Sequence, residues 1–322
     1  MAMMSRPPVA FRSPGRHGYS VQFSPYMPQR LGLAAGQNFG IAGSGTLFII
    51  DITPAGAVLL NHYDWSDGLF DLAWAENNEN LVVTGGGDGA MQLWDITQPK
   101  GPIKSLREHT KEIYSVHWSQ TRDQHLILTG SWDKTIKLWD PLHSQSLATF
   151  VGHQHIVYSA IWSPYVPGCF ASASGDNTLR IWDIKRPQSA RIVIPAGNAE
   201  IITCDWNKYD QNILVTGSVD SKIRGWDLRN PRQPMFQLGG HTHAIRRVKC
   251  SPHSRTHLAS CSYDFTVRMW DFATNSTPLE TIEHHTEFVC GLDFNLHVPG
   301  QIADCAWDEK TMVYNPRSFQ PS

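Results

Sequence analysis

The chain has 322 residues, 41% of them hydrophobic and 17% charged, so it can bury a sizeable core and does not read as a disordered chain. Its 27 Lys+Arg nearly balance 29 Asp+Glu, leaving a formal net charge of −2, which excludes a phosphate-tracking surface over the whole molecule. At roughly 150 residues per domain the length alone suggests two domains, and the 12 tryptophans stand out as bulky side chains that each need a burial site.

In chain order, residues 1–16 carry Pro7, Pro8 and Pro14 without an apolar run, so no secretory signal is expected there. Within this stretch Val9-Ala10-Phe11-Arg12 reads as a short strand. Leu31 to Ile50 is uncharged for 20 residues but breaks at Gly43-Ser44-Gly45, which predicts two buried strands joined by a glycine turn rather than a membrane helix. From there Trp-Asp dipeptides recur at 94–95, 139–140, 182–183, 226–227 and 270–271, in steps of 43 to 45 residues. One step back reaches Ile50-Asp51 and one step forward reaches Tyr314-Asn315, so seven units tile the chain with anchors near 50, 94, 139, 182, 226, 270 and 314. Each unit reads as short apolar or alternating runs, such as Leu81-Val82-Val83 and Thr178 to Trp182, separated by Gly, Pro and Asp turns. The ends, about 1–8 and 317–322, are expected to be flexible, and the Gln320-Pro321-Ser322 end carries no receptor-read tripeptide.

Other positions keep phase with the anchors. An aspartate stands six residues before six of them, Asp88 through Asp308, and Thr84, Thr129, Ser172, Thr216 and Ser260 lie four residues before the aspartate. A second register holds Trp74, Trp118, Trp162 and Trp206, continued by Cys250 and Phe294. Histidine, hydroxyl, aspartate and indole coincide three times: His109/Thr129/Asp133/Trp139, His153/Ser172/Asp176/Trp182 and His241/Ser260/Asp264/Trp270. Repetition argues against an active site, which needs one constellation. These sets are expected to form a hydrogen-bonded relay that satisfies buried polar groups. The units that depart from the pattern, with Trp65, Gly197, Asp304 or Tyr314 at relay positions, are expected to be held by packing and by the ring.

These markers resemble the WD40-repeat family over the whole chain, which implies an all-β, seven-bladed β-propeller forming a single domain. Its ring would be closed by the N-terminal strand joining the C-terminal blade, hiding sheet edges. No Walker loop, HExxH or close cysteine pair occurs, so neither enzymatic activity nor a cofactor or metal is expected. The six cysteines read as buried reduced thiols, and nucleic acid is not an expected partner.

Phase also sorts positions onto one face. Strand starts (Phe70, Tyr114, Tyr158, Ile202, Arg246, Cys290), residues two earlier (including Glu112, Glu200 and Phe288) and residues before the turn aspartates (including Trp132, Tyr263 and Trp307) should ring the channel mouth. Aromatics at a wet rim, joined by acidic neighbours Asp64, Asp67, Glu108, Glu112, Glu200 and Glu287, predict a platform for a short amphipathic helix carrying basic residues.

Several segments outside the generic repeat positions are similar to the family of receptors for type-2 peroxisomal targeting signals. They include Gly15 to Tyr19, Asp67 to Trp74, Ala244 to Val248, Cys261 to Asp264 and His284 to Val289. This resemblance implies a cytoplasmic receptor cycling to the peroxisome. It would bind an N-terminal cargo signal of the form Arg/Lys, Leu/Val/Ile, five residues, His/Gln, Leu/Ala. It would act with an import co-receptor (a long-form type-1 signal receptor or a fungal-type one) and with peroxisomal docking proteins, without inserting into the membrane. Carried over by position, Asp67 and Glu112 would meet the basic residue of the signal, and Phe70, Tyr114, Trp132 and Tyr158 its apolar face; Glu200, Tyr263, Phe288 and Trp307 complete the candidate site. A second reading is a substrate receptor of a cullin-RING ubiquitin ligase, resting on Ile213 to Arg229; a third is a generic interaction scaffold.

Overall fold

The computed structural model describes residues 7–121 and 125–319; the expectations placed on 1–6 and 320–322 lie outside them. Alternation and β-branched runs produce strands that pair into seven antiparallel four-stranded sheets. Blade 1 runs through His17–Phe23, Arg30–Gly36, Gly45–Thr53 and Gly56–Trp65. Blades 2 to 6 begin with the inner strands Leu69–Trp74, Ile113–Trp118, Val157–Trp162, Ile201–Trp206 and Ile245–Cys250. Blade 7 takes Val289–Phe294, Ile302–Ala306 and Lys310–Tyr314 from the C-terminal end and Val9–Arg12 from the N-terminal end. Val9 faces Val313 and Arg12 faces Lys310 in that closing pair. The ring is therefore shut by strands nearly 300 residues apart in sequence.

The core is not central. Seven apolar clusters lie between neighbouring blades, one at each interface, including Val21, Leu33, Phe48, Ala303 and Val313 between blades 1 and 7. Every blade buries both faces against its neighbours.

The two tryptophan registers have different tasks. Trp94, Trp139, Trp182, Trp226 and Trp270 each donate Nε1–H to the in-phase Ser or Thr of the adjacent strand, at 2.8–2.9 Å. Trp74, Trp162 and Trp206 instead reach the preceding blade, donating to the carbonyls of Gln22, His117 and Ile161 at 3.1–3.5 Å. The first register secures a blade internally and the second ties blades together.

Leu31 to Ile50 forms two buried strands as expected, joined through the short 3-10 turn Asn38–Gly40. One expectation is corrected: Arg317–Phe319 is not a loose end but a 3-10 turn, with Phe319 stacked on His257 at 4.8 Å and the Ser318 amide donating to Glu280. Among the described residues no helix is long and apolar enough to cross a membrane, and all six cysteines are free and buried.

Candidate functional site

Every inner strand carries a β-bulge at the same place. The residue left out of the pairing is Tyr19, Phe70, Tyr114, Tyr158, Ile202, Arg246 or Cys290 in blades 1 to 7 respectively. A bulge re-aims its side chain, and here it turns these residues toward one another across the channel mouth. Tyr19 meets Phe70 edge-on at 4.8 Å, Phe70 meets Tyr114 at 5.1 Å, and Tyr114 meets Tyr158 at 6.1 Å. The Arg246 guanidinium lies over the Tyr114 ring, 4.8 Å from its centroid.

Around this ring sits a second one, built by a repeated backbone bond. The residue before the turn aspartate donates its N–H to the residue two before the bulge: Gly87 to Gly68, Trp132 to Glu112, Gly175 to Ile156, Val219 to Glu200, Tyr263 to Ala244 and Trp307 to Phe288, at 2.9–3.1 Å. The two position classes sorted by phase are thus adjacent in every one of these blades. Trp132 packs on Tyr114, Phe288 on Tyr263 and Trp307, and Trp307 on Tyr19, so the aromatics of blades 1, 2, 3, 4, 6 and 7 form one connected surface. Phe70 lies at its floor, only 5% exposed, and is a support rather than an open contact. Trp132 and Trp307 are half-buried, with their Nε1 groups unpartnered.

Sequence reasoning missed four members. Tyr19 bulges from blade 1, His17 stacks on Phe39 at 4.0 Å, and Phe39 meets Trp307 at 5.4 Å. Phe265 packs on Phe288 at 5.8 Å and is 39% exposed. Phe39 and Phe265 both hold positive φ, 55° and 70°, a conformation that costs a bulky residue energy and marks a position worth a functional reason. The turn residues equivalent to Phe265 are Gly89, Lys134, Asn177, Ser221 and Glu309, so an aromatic in that slot was the available signal.

The acidic neighbours separate into two groups. Glu108 is engaged by Lys137 and Ser146, and Asp64 by Arg16 and Thr46, so neither offers a free carboxylate. Asp67, Glu112, Glu200 and Glu287 form no ion pair among the described residues. Glu200 accepts from the Tyr158 hydroxyl at 2.9 Å. Two glycines give the carboxylates room: a Cβ on Gly87 would lie 2.7 Å from Asp67 Oδ1, and one on Gly175 would lie 3.0 Å from Glu200 Oε2 and collide with His155.

The three histidine–hydroxyl–aspartate–indole sets are hydrogen-bonded within their blades. His Nδ1–H donates to the aspartate, Nε2 accepts from the hydroxyl, and the hydroxyl accepts from the indole, for example at 2.7, 2.7 and 2.8 Å around His109. The sets of His153 and His241 repeat it. Burial depresses the pKa of His153 and His241 and their aspartates only partly offset it, so these rings are neutral. The aspartates go the other way: burial would raise them, but hydrogen bonds from the histidine, the neighbouring Thr hydroxyl and a backbone N–H hold Asp133, Asp176 and Asp264 well below the usual range.

Blade 7 and blade 2 correct the expectation of packing alone. In blade 7 Asp304 takes the hydroxyl's place, accepting from His285 Nε2 at 2.8 Å, from Tyr314 at 2.7 Å and from His284 at 3.0 Å, while His285 Nδ1 donates to Asp308 at 3.0 Å. Burial opposes charge on His285, yet the two carboxylates raise its pKa to about 9. His284, His285 and Asp304 lie close enough to suggest metal ligands, but their ligating atoms already satisfy one another. In blade 2 Thr84 donates to Gln92, which substitutes for the missing histidine, and Trp65 packs edge-on against Trp94.

Seven four-stranded blades, indole-hydroxyl bonds in five of them and interblade cores define a WD40-repeat β-propeller. A model described as "WD domain, G-beta repeat" matches residues 57–95 and 100–140, and one described as "EIPR1 beta-propeller" matches 143–270. Within that class the chain closely resembles peroxisomal targeting signal 2 receptors. It is 60% identical to the Homo sapiens receptor over 162 residues, half of each chain, and 35% identical to the Saccharomyces cerevisiae receptor over 228 residues, 61% of this chain and 60% of that one. Against "Peroxisome biogenesis protein 7" of Arabidopsis thaliana it is 43% identical over 127 residues, 38% of this chain and 40% of that one. The chain spans about half the length of the human and mouse relatives it matches.

Proposed function

We propose that this propeller is a receptor for type-2 peroxisomal targeting signals and reads them on the aromatic, acid-edged mouth of its channel. The observation that carries the reading is the continuous aromatic surface joining six blades, bordered by Asp67, Glu112 and Glu200, none of which has an ion-pair partner among the described residues. An amphipathic helix fits such a surface: its leucine-type residues pack on Tyr114, Trp132, Tyr158, Tyr263, Phe288 and Trp307 and supply affinity, while its basic residue pairs with a carboxylate and selects register. The names of the relatives support the ligand class. Cytoplasmic cycling, an import co-receptor and docking proteins at the peroxisome complete the proposal.

The ubiquitin-ligase reading rests on Arg229, whose guanidinium folds back onto Asp227 of its own repeat at 2.7 Å, as ordinary turn chemistry accounts for. No geometric feature favours it.

The test is an anisotropy titration of a fluorescent type-2 signal peptide against variants. Asp67→Lys and Trp132→Ala are expected to weaken binding about tenfold or more, roughly 1.4 kcal/mol each. Glu79→Lys, an exposed charge in a loop between strands of blade 2, should leave it unchanged. Equal affinities for all three would remove the rim from the site.

A further inference from the structure

We infer that the channel just inside the mouth holds a small inorganic anion of halide size, bound by Arg246. The inference starts from charge. Below the rim the inner strands bring three carboxylates into the channel, and each has one cation: Asp71 pairs with Arg247 at 3.0 Å, Asp205 with Lys208 at 2.9 Å and Asp293 with Lys249 at 3.8 Å. His117, the remaining base there, is neutral because burial and the nearby lysines push its pKa down to about 3. Arg246 is left over.

Its position makes the surplus costly. Arg246 is 1% exposed, its Nε and Nη2 have no hydrogen-bond partner, and no carboxylate lies within ion-pair distance among the described residues. Besides Asp71, which already serves Arg247 and acts from beyond ion-pair distance, the ionisable groups acting on it are Tyr114, Tyr263 and Cys290. Burial raises the pKa of all three, Cys290 to about 12, so none supplies a negative charge at neutral pH. The ring of Tyr114 gives a cation–π contact, but that leaves the N–H donors unused. A buried guanidinium with free donors and no carboxylate within ion-pair distance is strongly disfavoured, and buried polar groups in folded proteins find partners.

A monovalent anion answers both deficits, accepting from Nε–H and Nη2–H and cancelling the charge. The neighbouring tyrosine hydroxyls are neutral donors that can complete its shell. The site needs no assumption about which ligand the rim binds.

Chloride is the probe. Thermal unfolding is compared in chloride and in gluconate at constant ionic strength, for the wild type, Arg246→Met and the surface control Arg229→Met. Wild type and Arg229→Met should melt higher in chloride with saturating dependence, and Arg246→Met should show no chloride effect. Wild-type crystals grown in bromide give a second readout that does not depend on the folding of Arg246→Met: an anomalous peak should stand against the Arg246 guanidinium. Identical melting in both salts, a chloride effect retained in Arg246→Met, or only ordered water beside Arg246 in the bromide crystals would overturn the inference.

Discussion

Replacing one hydroxyl by a carboxylate changes the charge of the histidine beside it. His241 meets Ser260 and one aspartate and stays neutral, whereas His285 meets Asp304 and Asp308 and is charged up to about pH 9. The folded value lies above the ordinary 6.5 of an unfolded histidine. Its stabilisation is therefore complete below about pH 6.5 and lost as pH rises through 9. Restoring the common set with Asp304→Ser and Tyr314→Trp should abolish that loss; denaturant melts at pH 6.5 and 9.5 on both proteins check it, and a parallel decline in both would contradict it. Asp304→Ala, which strands a charged His285 beside one remaining carboxylate, should cost about 3–5 kcal/mol. The three relays that carry a hydroxyl were legible from sequence because their spacing repeats. The charged one was not, since its Asp304 sits in phase but carries the wrong residue type for the pattern.

At the scale of elements, the closing strand Val9–Arg12 has one neighbour and little area. Phe11 anchors it, packing edge-on against Phe48 of blade 1 at 5.7 Å. Phe11→Ala should destabilise by about 1–2 kcal/mol, below the roughly 3–5 kcal/mol of a fully buried aromatic, because Phe11 is only half-buried. Urea unfolding measures this, and an unchanged midpoint would mean that closure does not depend on the ring. The bulge positions were readable in blades 2 to 7, where they recur every 44 residues from Phe70 to Cys290. Tyr19 escaped because blade 1 is longer, and 44 residues before Phe70 falls on Tyr26 instead. Phe265 escaped because its slot, one after the turn aspartate, shares its positive φ with every equivalent residue and holds no recurring residue type, so only the aromatic side chain marks it.

The whole ring converts a repeated local rule into a unique surface. Each blade contributes one bulge residue, blades 2 to 7 add one residue two positions earlier and one before the turn aspartate, and the closed circle brings them together. Contacts across that circle could not be read from sequence: Arg247 finds Asp71 176 residues away, and Arg246 finds Tyr114 on the opposite side of the mouth. The aromatic character of the mouth was readable residue by residue, but its continuity and the buried status of Phe70 needed the closed ring. The central claim is that this mouth binds a type-2 targeting signal, and a titration of the full chain with a fluorescent peptide of that form tests it most directly, with and without an import co-receptor. The account predicts saturable binding that is lost when the peptide's basic and leucine-type positions are replaced by alanine. Absence of saturable binding in both conditions, or equal binding of the alanine peptide, would contradict it.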